Sequence, residues 1–205
     1  MRPQDLLEGM DPLFPADFFN YSIEIGQTLT ELPDLSDLLA EESLGSLSLS
    51  WSPEEISGLI CIKKPLETSL FPDYDKGDAI EIFLDTRDNK KSGFVSRFCH
   101  QFVFLGKEVN GIRAQEITKF RLEDTHPLCD SSDIFLEIKE KKESYEVAFT
   151  LPKEILHGYD PLQFSRLGFA YRIHQHKGKP RHFPFSSKYF EPLKHPSLWA
   201  SLLLV

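Results

Sequence analysis

The sequence predicts an all-β protein, a two-sheet antiparallel β-sandwich with short helical segments near the N-terminus. Most of the apolar segments are short, and many alternate apolar with polar residues, as strands with one buried face do. Turn signals separate these segments along the whole chain. The pattern contains no helices of the length and number that parallel βαβ crossovers require, which disfavours an α/β fold.

The size of the chain indicates one globular domain. It has 205 residues, of which 40% are hydrophobic and 27% are charged, as is typical of globular domains. We therefore predict a single sandwich domain over residues 1–205. Within it, residues 1–43 are expected to form an acidic segment that packs on the sandwich or extends from it.

The N-terminal third of the chain is predicted to hold three strands and one helix. Residues 18–26 have strand character, and the leucines over residues 35–39 have helical spacing with Asp34 or Ser36 as a cap. Residues 44–51 alternate with period two. The turn "SPEE" connects them to the apolar run over residues 56–64, so these two strands form a hairpin.

The middle of the chain contains the segment "GDAIEIFLDTRD", whose alternation predicts another strand. Successive side chains of a strand point to opposite faces, so we expect Ile80, Ile82 and Leu84 to be buried between the sheets. An aromatic strand, "RFCHQFVFL", follows. Later strands are predicted over residues 131–142, 144–152, 167–176 and 198–205, with a hairpin turn at "KEKKES".

Charge and hydropathy limit the partners of the chain. The net charge is −9, and residues 1–100 alone carry 19 acids against 8 bases, so nucleic acid is not an expected partner. No apolar run reaches the roughly 18 residues that a membrane helix needs, so no membrane is expected. The acidic, proline-broken start "MRPQDLLEGMDPLFPADFF" lacks the pattern of a secretory signal, which predicts a cytoplasmic protein.

The cysteines predict neither disulfides nor a zinc site. Cys61, Cys99 and Cys129 are widely spaced and odd in number, and no CxxC pair is present. We expect three reduced thiols, no cofactor, and a fold that forms without metal or disulfide.

Several motifs follow one another in an order that resembles a known family. These are "LSLSWSPEEISGLICIKK", "GDAIEIFLDTRD", "SYEVAFTLP", "RLGFAYRI" and "HPSLWASLLLV". Their order resembles stand-alone bacterial domains of the carbohydrate-binding module family 9-like group, within the wider DOMON-type sandwiches. The resemblance covers residues 15–205 and implies two antiparallel sheets and a carbohydrate ligand. The two tryptophans, Trp51 and Trp199, do not match the sugar clamp of the family and are predicted to be packing residues.

The strand face opposite Ile82 supplies the candidate ligand site. Glu81 and Asp85 lie roughly 13 Å apart along it, too far for the pair of carboxylates, about 5–9.5 Å apart, of a glycosidase. Phe83, Asp85 and Arg87 combine an apolar ring with an acceptor and a planar donor, which suits a sugar. The simpler alternative is that Asp85 and Arg87 form a surface ion pair or hold the following loop.

His100 completes the predicted ligand site. Alternation places it on one face with Phe98, Phe102 and Phe104, so a hydrogen-bonded core histidine is the alternative. Its neighbour Cys99 points to the other face, which excludes a Cys/His catalytic dyad.

Two weaker metal candidates remain. The loop "DYDKGD" offers Asp73, Asp75 and Asp78, but Gly77 stands where a calcium loop needs a side-chain oxygen. The segment "RIHQHKGKPRHF" offers three histidines that suit a transition metal or form a polar hairpin end. These are His174, His176 and His182.

The function predicted from the sequence is non-catalytic binding, with carbohydrate as the ligand. The alternative is a protein-interaction or structural module that docks a protein partner through residues 1–43. An enzyme ranks third, since no G-x-S-x-G, HExxH or phosphate-loop motif is present.

Overall fold

A computed structural model describes residues 19–91, 93–120, 123–188 and 191–205. The chain forms two stacked β-sheets with little helix, which confirms the predicted all-β sandwich. The strands are β1 (Asn20–Ile23), β2 (Thr30–Glu31), β3 (Gly45–Trp51), β4 (Glu55–Ile62), β5 (Ala79–Asp85), β6 (Cys99–Val109), β7 (Ile112–Glu116), β8 (Phe135–Glu140), β9 (Tyr145–Pro152), β10 (Arg166–His174), β11 (Arg181–Phe183) and β12 (Ala200–Leu204).

Within the described residues, helical structure is limited to single turns. The predicted helix is one turn, α1 (Ser36–Leu39), and it ends at Ala40, which adopts a left-handed conformation with φ of 53°. None of the described helices is long and apolar enough to cross a lipid bilayer. The 3₁₀ turns are Tyr74–Lys76, Ser131–Asp133, Lys153–Ile155, Pro192–Lys194 and Pro196–Leu198.

The larger sheet has seven strands, in the order β1-β12-β10-β5-β6-β7, with β11 paired to β10. The smaller sheet has five, in the order β2-β3-β4-β9-β8. Strand β1 pairs with β12 in parallel, whereas the other pairs of these strands are antiparallel. Both β1 and β2 come from the predicted acidic segment 1–43, so its described part supplies strands to the two sheets. Residues 1–18 of that segment lie outside the described residues.

The core lies between the two sheets. Ile80, Ile82 and Leu84 of β5 are at most 2% exposed and belong to the main apolar cluster, as predicted. Phe104 of β6 meets Phe149 of β9 across the sandwich, with ring centroids 5.0 Å apart. Alternate side chains of both sheets therefore interlock, as in other aligned sandwiches.

The outer face of the larger sheet is also covered. Every residue of β5 is buried, because a second apolar cluster forms around Phe83 and Trp199 on that face. Phe185, Leu193 and Leu198, from the segment before β12, pack against this cluster. The expectation that one face of β5 meets solvent is therefore wrong, and the cause is a chain segment that alternation within β5 does not reveal.

Strand β7 was missed by the sequence analysis. It forms a hairpin with β6 through Asn110 and Gly111, which both have positive φ, 52° and 82°. Asn-Gly is the typical pair for a two-residue hairpin turn, so the sequence did contain a signal. The other missed strands are β2 and β11, of two and three residues.

Candidate functional site

The four residues of the predicted ligand site do not share one surface. In the antiparallel register, His100 lies opposite Leu84, and Phe83 lies opposite Gln101. His100 therefore points to the inter-sheet side with Leu84, whereas Phe83 and Asp85 point to the outer side. Phe83 has no exposed surface and packs on Trp199, with ring centroids 5.7 Å apart. It offers no ring face to a ligand, because the segment before β12 covers it.

Asp85 holds the loop that follows β5. Its two carboxylate oxygens accept hydrogen bonds from the main-chain N–H groups of Arg87 and Asn89, at 2.9 and 2.8 Å. Burial, with a smaller effect of the neighbouring Asp88 charge, raises the pKa of Asp85 above its usual value. These contacts are those expected from the alternative interpretation, in which Asp85 holds the following loop.

Arg87 lies half-buried at the end of the sandwich. Its guanidinium carbon is 3.7 Å from the ring centroid of Phe164 and 4.7 Å from that of Phe98. The guanidinium also donates to the carbonyl oxygen of Gly158. These contacts account for the side chain by packing, and a role of Arg87 in ligand binding stays a prediction.

The acidic loop that was a calcium candidate is held by main-chain contacts. The Asp78 carboxylate accepts hydrogen bonds from the N–H groups of Glu67, Thr68 and His176, at 2.7, 2.8 and 3.0 Å. Because both oxygens already serve N–H donors, Asp78 does not fit a calcium ligand here. Asp73 forms an exposed ion pair with Lys76, at 2.7 Å.

The histidines of the second metal candidate are not brought together. His174 Nε2 lies 3.0 Å from the Glu81 carboxylate, and His182 is registered opposite Arg172. Arg172 also donates to Glu81, at 2.7 Å. Although burial opposes the charged form, the contacts with His174 and Arg172 lower the pKa of Glu81. Glu81, Arg172 and His174 therefore form a buried ion network on the covered outer face of the larger sheet.

His100 belongs to a different group, which the sequence analysis missed. We call His100, Glu116 and His126 the His100 cluster. All three are buried, and the ligand atoms lie within 4.8 Å of one another. Among the described residues, no other group of three metal-ligating side chains is as compact. Glu116 ends β7, and that strand was not predicted.

One oxygen of Glu116 is the centre of the His100 cluster. Oε1 lies 2.9 Å from His100 Nδ1 and 2.9 Å from His126 Nε2. Burial favours the neutral ring of His126, but its hydrogen bonds to Glu116 and to the Arg97 carbonyl oxygen raise its pKa. Burial likewise opposes the charge of Glu116, yet the bonds from His100 and His126 lower the pKa of its carboxyl.

The outer face of the five-stranded sheet carries a groove of about 660 Å³. Its floor follows the strand register: Ser50 of β3 lies opposite Ser57 of β4, Ser57 opposite Thr150 of β9, and Thr150 opposite Phe135 of β8. Adjacent strands are about 4.8 Å apart, so this row spans about 14 Å across four strands. We call these four residues the groove row. Leu29, which is 39% exposed, also lines the groove.

The groove row combines hydroxyl groups with an aromatic ring. Ser57 Oγ and Thr150 Oγ1 are 3.0 Å apart and half-buried, and Ser57 Oγ also contacts a Glu55 carboxylate oxygen at 3.2 Å. Phe135 at the end of the row is 62% exposed. The alternating serines of "LGSLSLSW" were a signal for this face, but they were interpreted only as evidence for a strand.

The charged residues that line the groove are acidic. They are Glu55 and Glu137, and no Lys or Arg is among the described lining residues. A polyanion such as nucleic acid or a sulfated glycan would be repelled here. The groove therefore favours neutral ligands with many hydroxyl groups and an apolar face.

No family model and no curated protein matches the chain. Solved structures do match. A carbohydrate binding module family 9 of Caldicellulosiruptor kristjanssonii, in complex with cellotriose, is 14% identical with a TM-score of 0.62, over 90% of this chain and 93% of that chain. A module of the same description, in complex with glucose, is 13% identical with a TM-score of 0.63, over 91% and 95%.

A third solved structure, from Bacteroides uniformis, is 10% identical with a TM-score of 0.56, over 91% of this chain and 99% of that chain. At these identities the likeness shows the fold. The chain thus has the fold of carbohydrate-binding module family 9 domains, as its motifs predicted, and the wider DOMON-type grouping stays a prediction.

Proposed function

We propose that this chain is a carbohydrate-binding module whose ligand lies in the groove on the outer face of the five-stranded sheet. The observation that carries the proposal is the groove row, in which the half-buried hydroxyls of Ser57 and Thr150, next to the buried Ser50, run across the sheet to an exposed phenylalanine. This surface stands in place of the predicted site at Phe83, Asp85, Arg87 and His100, whose residues lie apart.

The chemistry of the groove suits a neutral oligosaccharide. A sugar ring has an apolar face that packs on an aromatic side chain, and hydroxyl groups that both donate and accept hydrogen bonds. Phe135 offers the platform, Ser57 and Thr150 offer hydroxyls, and the rim carboxylates of Glu55 and Glu137 offer strong acceptors. Binding pockets commonly have this mixture of apolar walls and few polar groups.

The likeness of fold supports the same ligand class. Two of the similar modules are in complex with glucose and with cellotriose, which are neutral sugars. Neutral sugars also agree with the acidic rim of the groove. We therefore take cellotriose as the first ligand to test.

Isothermal titration calorimetry with cellotriose tests the proposal. We expect Phe135→Ala to weaken binding about 10-fold or more, or about 1.4 kcal/mol, because the stacking platform is lost. The exposed ring contributes little to folding, so the variant should melt like the wild type. Leu162→Ala is the matched control, since Leu162 is 82% exposed and does not line the groove.

A second variant examines the hydroxyl row. Thr150→Val keeps the shape of the side chain and removes one hydroxyl, so we expect weaker binding with the fold retained. Equal cellotriose affinity for the wild type, Phe135→Ala and Thr150→Val would move the site elsewhere. A wild-type chain that binds none of the neutral glycans on an array would contradict the proposed function.

A further inference from the structure

We propose that the His100 cluster is a binding site for a divalent transition-metal ion of the zinc class, with His100 Nδ1, His126 Nε2 and Glu116 Oε1 as the ligands. The cluster lies where β6 begins and β7 ends, near the 3₁₀ turn that follows β9. It does not overlap the groove row, so the inference is independent of the carbohydrate proposal.

The contacts of His126 fix the chemistry of its ring. Its Nδ1 is 2.6 Å from the carbonyl oxygen of Arg97, which can only accept a hydrogen bond. Nδ1 therefore carries a proton, and Nε2 of the neutral ring presents a lone pair to Glu116 Oε1 at 2.9 Å. A lone pair that faces a carboxylate oxygen at this distance needs a cation between the two atoms, either a proton or a metal ion.

The contacts of Glu116 make a metal ion the better occupant. Oε1 accepts from the Thr118 hydroxyl at 2.8 Å, which uses one of its two lone pairs. The nitrogens His100 Nδ1 and His126 Nε2 both face the one lone pair of Oε1 that remains. Two separate hydrogen bonds exceed that single lone pair, whereas one ion bound to both nitrogens and to Oε1 satisfies all three atoms.

The distances suit such an ion. Zinc bonds to nitrogen and oxygen are about 2.0–2.2 Å, so tetrahedral ligand atoms are roughly 3.3–3.5 Å apart. Two of the ligand-atom pairs here are 2.9 Å apart and all lie within 4.8 Å. The two pairs at 2.9 Å would lengthen by about 0.4–0.6 Å, and the two histidine nitrogens, which lie within 4.8 Å of each other, would meet the same ion through side-chain rotation.

The surroundings hold the ligands in the manner of a metal site. Metal-bound histidines usually donate their second N–H to a carbonyl or carboxylate, as His126 does to Arg97. The second oxygen of Glu116 accepts from the N–H of Cys129, at 2.9 Å. Because Nε2 of His100 has no hydrogen-bond partner, Nδ1 is the atom through which this ring joins the cluster.

A cavity lies beside the site. His126 and Cys129 line a cavity of about 590 Å³ at the end of the sandwich, which we call the terminal cavity. The exposed His157 also lines it and stacks on His126, with ring centroids 5.6 Å apart. An ion with three protein ligands leaves a fourth position for a water molecule or another donor.

Metal titration of the chain after EDTA treatment tests the inference, with zinc and cobalt(II) as probes. We expect one zinc ion per chain, and for cobalt(II) the intense visible absorption of a four-coordinate ion. Glu116→Gln keeps the size of the side chain and removes its charge, so we expect zinc affinity to fall about 100-fold. His176→Gln is the matched control, since His176 lies outside the cluster, and it should bind zinc like the wild type.

A second measurement uses the wild type, so it applies even if the Glu116→Gln chain fails to fold. Nitrogen-15 NMR of the wild-type histidines should show zinc at His126 Nε2, with the proton kept at Nδ1. A wild type that binds no zinc at micromolar concentration and keeps both His126 nitrogens protonated would overturn the inference in favour of a bound proton. So would equal zinc affinity in the wild type and in a folded Glu116→Gln chain.

Discussion

Glu81 shows at the scale of one residue how an acid is kept in the interior of this protein. It has no exposed surface, and Arg172 and His174 surround its carboxylate. Burial of an ion costs several kcal/mol unless partners compensate for the lost hydration. Glu81 therefore depends on its network, and the network depends on the charge of Glu81.

We predict that Glu81→Gln destabilises the protein by about 1–3 kcal/mol at pH 7, because Arg172 loses its buried counterion and is left with the partly exposed carboxylate of Glu191, at 2.8 Å. The difference from the wild type should shrink as the pH falls. The pKa of Glu81 is lowered in the folded state, so its contribution is fully present above its unfolded pKa, about 4.5, and is lost progressively as the pH falls from there through the lowered folded-state pKa. Urea unfolding at pH 7, 5, 4 and 3 measures this change.

The control for this series is Glu137→Gln, whose exposed carboxylate pairs with the exposed Lys139, at 3.3 Å. Its effect should be below about 1 kcal/mol at every pH. A cost of Glu81→Gln that stays constant from pH 7 to pH 3 would contradict the proposed role of the Glu81 charge.

Arg87 yields a second prediction at this scale. We expect Arg87→Ala to cost about 2–3 kcal/mol in the free energy of unfolding, from the lost ring contacts and the hydrogen bond to Gly158. The loop ties of Asp85 should survive, because they come from main-chain N–H groups. Arg87→Lys should recover only part of the loss, since a lysine cannot stack as a plane.

Thermal and urea unfolding of the two Arg87 variants measure these costs. An unchanged melt for Arg87→Ala would show that folding does not require the guanidinium, and would favour the ligand role that the sequence analysis gave it.

Among the strands, β4 contains Gly58 at a position that faces the core, on the same side as Ile56 and Ile60. It lies in the centre of β4, and a Cβ atom there would be 2.4 Å from Phe149 Cζ and 2.9 Å from Leu49 Cδ2. The glycine lets the Phe149 ring pack directly beneath the strand. The sheet therefore stays closely packed from below while its outer face carries the groove.

We predict that Gly58→Ala destabilises the protein by about 1–3 kcal/mol through overpacking. Ser57→Ala, one residue away and facing outward, should cost less than about 1 kcal/mol. Phe149→Leu should reduce the penalty of Gly58→Ala when the two are combined, and chemical unfolding of all four chains forms a double-mutant cycle. Additive effects would show that the ring is not what excludes a side chain at position 58.

Strand alternation carries much of what the sequence could reveal about the elements. It found β3, β4, β5, β6, β9 and β10, because their inward residues are apolar at every second position. It missed β7, whose residues "IRAQE" are mostly polar, although Asn110 and Gly111 marked the turn. Because β7 was missed, Glu116, which is the partner of His100, was missed as well.

The candidate site could be predicted only in part. The sequence analysis assigned His100 to the ligand site, with a core histidine as the alternative, but His126 is 26 positions away and is brought to it by the fold rather than by spacing. Phe83 was predicted to lie on an open face, because the segment before β12 that covers it is distant in sequence and contacts it only in the folded structure. The groove row depends on the register of four strands, which one-strand patterns do not determine.

Across the protein as a whole, the two tryptophans lie in different apolar layers, so the fluorescence of each one monitors the unfolding of its own layer. Trp51 lies in the core between the sheets, whereas Trp199 lies in the cluster on the outer face of the larger sheet. They are 7% and 3% exposed. If the segment before β12, which covers the outer face of the larger sheet, forms one cooperative unit with the sandwich, the surroundings of Trp199 and of Trp51 must unfold together.

We predict one transition for both layers. In Trp199→Phe the fluorescence reports Trp51, and in Trp51→Phe it reports Trp199. Within each variant, the fluorescence midpoint should coincide with the midpoint from far-UV circular dichroism in urea. An earlier midpoint for Trp199 alone would mean that the covering segment detaches before the sandwich unfolds, and would contradict a single cooperative domain.

Phe135 borders both the groove and the terminal cavity. A sugar that displaced this ring would change the affinity of the neighbouring zinc site only if the ring also affects that site, and the coupling free energy would then be the same in both directions. Sugar affinity measured with and without zinc would then differ by the same factor as zinc affinity measured with and without sugar. Phe135 is the residue through which such coupling would pass, and equal affinities would show that the two sites act independently.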